Sequence, residues 1–116
     1  MKNKTITIGL MDGEKVGLTL TFGLLYELRE NKKDEYEKYN EIVMNGIKDM
    51  MDYPKALYAA YLCKCIEDGV KPTMSQMEFT KKLPYAMSDI VKIYGELYNA
   101  GKKQLLGNPL NAEQGE

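Results

Sequence analysis

Histidine is absent from the 116-residue sequence. With it go the commonest general base, the commonest metal ligand and every Ser-His or Cys-His nucleophile pair. Cysteine is reduced to Cys63 and Cys65, one residue apart in a helical pattern where positions i and i+2 point away from each other. An internal bridge is excluded by that spacing, and a zinc site by the lack of histidine and of a third cysteine. Both thiols are expected to be small core residues in a reducing compartment. Arginine occurs once, at Arg29, and 16 basic against 17 acidic side chains leave a formal charge of -1. A phosphate-tracking surface needs clustered positive charge and base readout leans on bidentate arginine, so nucleic acid is an unlikely partner. No apolar run approaches the roughly 20 residues that span a bilayer, and Met1 to Thr7 enters an alternating pattern with no signal-peptide core. The expectation is a protein that stays in the cytoplasm where it is made.

Other chemistry is equally sparse. Glu35 with Glu37, and Glu67 with Asp68, are carboxylate pairs on charge-rich helix surfaces without an aromatic or glycine-rich substrate frame, and they read as solvated faces. Asp12-Gly13-Glu14 is too short for an EF-hand loop, and no glycine motif could cradle a phosphate. No catalytic, cofactor-binding or metal-binding residue is assigned, no cofactor is expected, and the chain is expected not to be an enzyme.

What is present is an ordinary globular composition, 44% hydrophobic and 28% charged, at a length that suits one core. Ile6, Ile8 and Leu10 alternate with polar residues, and Val16, Leu18 and Leu20 repeat the period after Asp12-Gly13, which predicts a β-hairpin whose loop can exceed two residues. Two strands alone are marginal, so helices must cover their apolar face. The first helix is predicted to be capped by Thr21, with Phe22, Leu24, Leu25 and Leu28 on one side. The second is predicted to start near Asp34, which has capping spacing to Glu37, and to carry the stripe Tyr36, Tyr39 and Val43. Asn45-Gly46 breaks that pattern, leaving residues 45–53 open between helix and loop. Pro54 fits the first turn of a third helix, with Tyr53 held outside it.

From Ala56 to Ile66 only Lys64 is neither apolar, aromatic nor cysteine, the signature of a central helix packed on several sides. Gly69 is its stop. Ser75 and Glu78 form a capping box for a short fourth helix. After Pro84 a fifth carries Ala86, Ile90, Ile93 and Leu97 beside Met87, Val91, Tyr94 and Tyr98, with Gly101 as its end. The fold class is therefore α+β but mostly α: an N-terminal β-hairpin followed by a bundle of four to five helices. Residues 1–101 form a single domain, and residues 102–116 are expected to be a mobile tail.

One compositional bias remains, nine tyrosines and eight methionines against two phenylalanines and no tryptophan. Tyrosine and methionine are both enriched at protein interfaces. Tyr58, Tyr61 and Tyr94 lie in strongly helical stripes and read as core residues with satisfied hydroxyls. Tyr36, Tyr39, Met50, Met51 and Tyr53, on the more polar second helix and the junction after it, are the candidate partner-binding residues, with core packing as the competing reading.

The order of elements, a hairpin, then Thr21-Phe22-Gly23-Leu24-Leu25-Tyr26-Glu27-Leu28, then a helical body containing Ala56-Leu57-Tyr58-Ala59-Ala60-Tyr61, resembles the tail assembly chaperones of long-tailed bacteriophages and prophages of Gram-positive bacteria. The similarity runs over roughly residues 4 to 101 as a general pattern. It implies a non-enzymatic protein that coats the helical tape measure protein, helps recruit tail tube protein and stays out of the finished virion. It also implies that a longer form arises by frameshifting near the end of the reading frame. It assigns no site residue. A homo-oligomer is expected, because self-association multiplies weak contacts along a long substrate. The alternatives are another phage structural component, such as a head-tail connector or tail terminator subunit, and a small DNA-binding regulator using the fourth and fifth helices as a helix-turn-helix.

Overall fold

A computed structural model describes residues 5–84 and 86–106, with side chains described as far as residue 98. Strands β1 (Ile6–Gly9) and β2 (Lys15–Leu18) form an antiparallel hairpin, with Ile6 opposite Leu18 and Ile8 opposite Val16. The connection is longer than two residues. Leu10 N–H donates to the Glu14 carbonyl at 2.7 Å and Gly13 N–H to the Leu10 carbonyl at 2.9 Å. Gly13 adopts φ 91°, a left-handed geometry that costs a glycine nothing. The alternation buries Ile8, Leu10, Val16, Leu18 and Leu20 on one face.

Five helices follow, so the α+β class read from the pattern holds: α1 (Phe22–Asn31), α2 (Lys33–Asn45), α3 (Asp52–Asp68), α4 (Gln76–Lys82) and α5 (Met87–Leu106). Thr21 Oγ1 accepts the Leu24 N–H at 3.1 Å, capping α1 as predicted. Only part of the predicted α1 stripe faces inward. Leu24 and Leu28 are buried, but Phe22 is 73% exposed. At about 100° per residue, positions 22 and 24 lie nearly opposite each other, so they cannot share a face.

Helix α2 starts next to the expected Asp34, but its capping differs from expectation. The helix begins at Lys33, its cap Lys32 makes no side-chain capping bond, and Asp34 and Glu35 occupy the first turn, where they favour the dipole. Glu37 pairs instead with Lys33 at 3.9 Å. Residues 46–51 form a loop rather than a further turn of helix. The Asp52 carboxylate ties it down by accepting the N–H groups of Lys48 (2.9 Å) and Asp49 (3.2 Å). The Lys48 bond above all, with the Asp49 bond and Lys55 nearby, holds the Asp52 pKa below its ordinary value against the opposing effect of burial. Tyr53 lies inside the first turn of α3, contrary to expectation. Pro54 is the third residue of that turn, where its missing N–H forfeits no intrahelical bond.

Helix α3 is the hub, touching β2 and each of the other four helices. It buries nine residues, from Ala56 to Cys65 with only Lys64 excepted. It ends as predicted at Gly69, φ 70°, where Val70 N–H reaches the Cys65 carbonyl (3.0 Å) and Gly69 N–H the Ile66 carbonyl (3.1 Å), the paired bonds of a Schellman motif. Tyr58 donates its hydroxyl to the Met74 carbonyl (2.8 Å), and the Tyr61 hydroxyl accepts the Thr73 N–H (2.9 Å). The buried Phe79 ring of α4 stacks on Tyr61 at 5.4 Å. The capping box of α4 is complete, with Ser75 N–H to Glu78 Oε1 at 2.9 Å and Glu78 N–H to Ser75 Oγ at 3.2 Å.

Helix α5 does not stop at Gly101 but continues to Leu106. A glycine inside a helix costs only about 1 kcal/mol relative to alanine, too little to end a run flanked by good helix formers. Of the tail expected at 102–116, residues 107–116 lie outside the described residues.

Candidate functional site

The five candidate contact residues do not form one site. Tyr36 and Tyr39 lie on α2 in a groove of about 280 Å³ between α1, α2 and α5, with Phe22, Leu25, Val43 and Met44 among its lining. Met50 and Met51 line a smaller groove of about 100 Å³ together with Pro54, Leu83, Met87 and Ile90. Tyr53 belongs to neither. Its ring meets Tyr94 of α5 edge to face, centroids 5.4 Å apart at 82°, and it is half-buried there.

Burial divides the candidates further. Met50 and Met51 are exposed, Tyr36 is intermediate, and Tyr39 is only 8% exposed. Tyr39 is thus part of the core and forms the floor of the larger groove. The competing core reading describes it, because α2 turns Tyr39 and Ile42 together onto α3. Burial pushes the Tyr39 phenol well above its ordinary range, with smaller contributions from Tyr94, Cys63, Tyr98 and Tyr36, so the floor stays neutral.

Two residues of the larger groove were not singled out in the sequence as contact residues: Phe22 and Met44, each 73% exposed. The available signal was angular. Phe22, Leu25 and Tyr26 share a face of α1 distinct from Leu24 and Leu28, and Met44 follows Asn40 by one turn on α2. None of the residues lining this groove carries a charge. Its chemistry is that of an apolar trough with rigid aromatic walls and a flexible thioether at the rim, which suits the apolar stripe of a partner helix.

Polar clusters elsewhere serve the fold. The pocket of about 180 Å³ that includes Lys38, Glu41, Asp49, Asp52 and Lys55 is built around the Asp52 carboxylate, already committed to the 46–51 loop. Among the described residues no group of three or more His, Cys, Asp or Glu side chains could hold a metal ion. Cys63 and Cys65 are free and buried. Burial, with a lesser effect of Glu27, pushes the Cys63 thiol up to about 12. No helix among the described residues is long and apolar enough to cross a membrane.

No curated protein matches the chain. No solved structure matches it either. One family model, described as Poxvirus D5 protein-like, matches residues 54–114, from the first turn of α3 onward. That stretch is more than half of the sequence and includes the hub helix, and the chain accordingly belongs to the poxvirus D5 protein-like family.

Proposed function

We propose that this chain is a non-enzymatic assembly chaperone of a viral tail, which holds the helical tape measure protein and helps recruit tail tube protein in the host cytoplasm. The observation that carries the reading is the uncharged groove between α1, α2 and α5. Its exposed Phe22 and Met44 offer an apolar rim to the stripe of an amphipathic helix. Large exposed apolar side chains clustered at one groove mark an interaction surface more often than chance exposure does. A viral setting is supported by the match to a family described after a poxvirus protein. The element order of hairpin and helices supports the tail chaperone within that setting.

Such a function needs many weak contacts and no bond chemistry, and self-association of the chaperone would multiply them along a long helical substrate. The test is co-expression with fragments of the tape measure protein. Fragments should co-purify with the wild type and become soluble. Phe22→Ser and Met44→Ser should each weaken capture at least tenfold while leaving the melting temperature unchanged. Absence of co-purification, or capture indifferent to both substitutions, overturns the reading.

A further inference from the structure

The backbone demands a glycine at position 46, and the residue before it is an asparagine. Gly46 closes α2 with φ 84° and ψ 170°, a region that residues with a Cβ essentially never enter. Its N–H donates to the Ile42 carbonyl at 2.7 Å, which satisfies one of the free carbonyls of the helix end. Just beyond, the Asp52 carboxylate holds the N–H groups of Lys48 and Asp49, so the turn is tied on both sides. Asn45 is the last helical residue. It is exposed, and its carboxamide makes no hydrogen bond among the described residues.

Such neighbours form a reactive pair. The amide nitrogen that follows an asparagine can lose its proton to base and attack the side-chain Cγ, closing a five-membered succinimide while the Cγ–Nδ2 bond breaks and ammonia leaves. Water then opens the ring. Opening at Cγ leaves aspartate, and opening at the main-chain carbonyl leaves isoaspartate, whose backbone is longer by one methylene. A following glycine permits the attack best because no Cβ crowds the nitrogen. At Gly46 no heavy atom lies within 4 Å of where a Cβ would stand. Of the asparagines in the sequence only Asn45 precedes a glycine, whereas Lys32 follows Asn31 and Glu41 follows Asn40. The folded chain opposes the step twice. The Gly46 N–H is committed to Ile42, and ring closure would turn the ψ of residue 45 away from its helical value.

We infer that Asn45-Gly46 is a site of spontaneous deamidation that the fold holds closed: it reacts when the last turn of α2 opens, and the isoaspartate formed there keeps that turn from closing again. Helix ends are where such local opening is least costly. The lengthened backbone displaces the Gly46 N–H from the Ile42 carbonyl. The new carboxylate also stands at the negative end of the helix dipole, one turn after Glu41. Of the lysines lining the adjoining pocket, Lys38 and Lys55 already face Glu35 and Asp52 at 3.7 Å each, which leaves Lys48 to offset the added charge. The change in backbone length therefore dominates. Val43 and Met44 belong to the same stretch of α2 and line the groove between α1, α2 and α5, so the alteration reaches its rim. The inference goes beyond the partner reading, since no partner enters it.

The experiment incubates the full chain at mildly alkaline pH, either folded in buffer or unfolded in guanidinium chloride, and follows the tryptic peptide from Tyr39 to Lys48 by fragment mass spectrometry. Unfolded chains should convert at position 45, with isoaspartate confirmed by enzymatic methylation, while Asn40 in the same peptide stays intact. Folded chains should convert at least tenfold more slowly. Asn45→Gln, whose longer side chain would have to close a six-membered ring, should abolish the mass gain at that position. The converted chain, returned to buffer, should have a lower urea midpoint than the untreated protein. It should also fall below Asn45→Asp, which adds the charge without lengthening the backbone. Equal rates in folded and unfolded chains, no conversion at position 45 on unfolding, or a converted chain as stable as the untreated one overturns the inference.

Discussion

Tyr53 and Tyr94 meet edge to face across the junction of α3 and α5, their ring centroids 5.4 Å apart and their planes at 82°. The contact fastens the first turn of the hub helix to the last helix of the fold, and Tyr94 in turn stacks on Tyr98 at 6.1 Å. Burial holds the Tyr94 phenol above its ordinary range, with smaller effects of Tyr98 and Tyr53.

A double-mutant cycle of Tyr53→Ala and Tyr94→Ala should return a coupling of about 0.5–1.5 kcal/mol, the range of edge-to-face pairs beyond their buried area. Urea unfolding of the four proteins measures it. Additive losses would show that the rings merely coincide.

Gly69→Ala should destabilise the protein by about 1 kcal/mol, because φ 70° places a Cβ in the left-handed region. No heavy atom lies within 4 Å of the added carbon, so the penalty is one of backbone conformation alone. Chemical denaturation decides it, and Gly23→Ala is the control. Gly23 sits inside α1 with ordinary φ and equally open space, where alanine should stabilise by up to about 1 kcal/mol.

Native Cys63 and Cys65 should resist a maleimide at mildly alkaline pH, and both should react on denaturation. Cys63 is pushed up to about 12 chiefly by burial, and burial also raises Cys65, against the opposing hydrogen bond from Tyr61. Thiolate is the reacting species, so loss of ionisation and loss of access act together. Rapid labelling of the folded protein would contradict the packing of α3.

The Asp12 carboxylate lies below its ordinary 3.8, first because it accepts the Glu14 N–H and then because Lys82 bonds to it. A folded-state value depressed below the unfolded one contributes stability that is present above the unfolded value and lost as pH falls through the folded one. Asp12→Asn should therefore lower the urea midpoint slightly at neutral pH and match the wild type in strong acid. An equal deficit at both pH values would place the effect outside this ionisation.

Much of the architecture was legible because single residues determine it locally. Thr21, Ser75 with Glu78, Gly13 and Gly69 act within a few positions of themselves, and their bonds appear where spacing predicts them. The apolar block from Ala56 to Ile66 announced a hub for the same reason. The errors arose where two local signals competed. Tyr53 precedes a proline, yet tertiary contact with Tyr94 and the Asp52 bonds to the preceding loop favour a helix start before it. Gly101 was outweighed by its helix-forming neighbours. The groove was only half legible. Tyr36 and Tyr39 were visible as a stripe, but which tyrosine forms the wall and which the floor depends on the angle between α1 and α2, a quantity no single segment encodes.

The placement of α3 in the middle of everything has a consequence for biosynthesis. The hairpin and the first two helices precede it in the chain, and their apolar faces are closed chiefly by Ala56 to Cys65. While the N-terminal half emerges from the ribosome it lacks the hub helix to pack against, and its Leu18, Leu28 and Ile42 would be open to misassociation until α3 follows. The first fifty residues are thus a poor fragment to express alone, and the nascent protein passes through its own interval of vulnerability before it is complete.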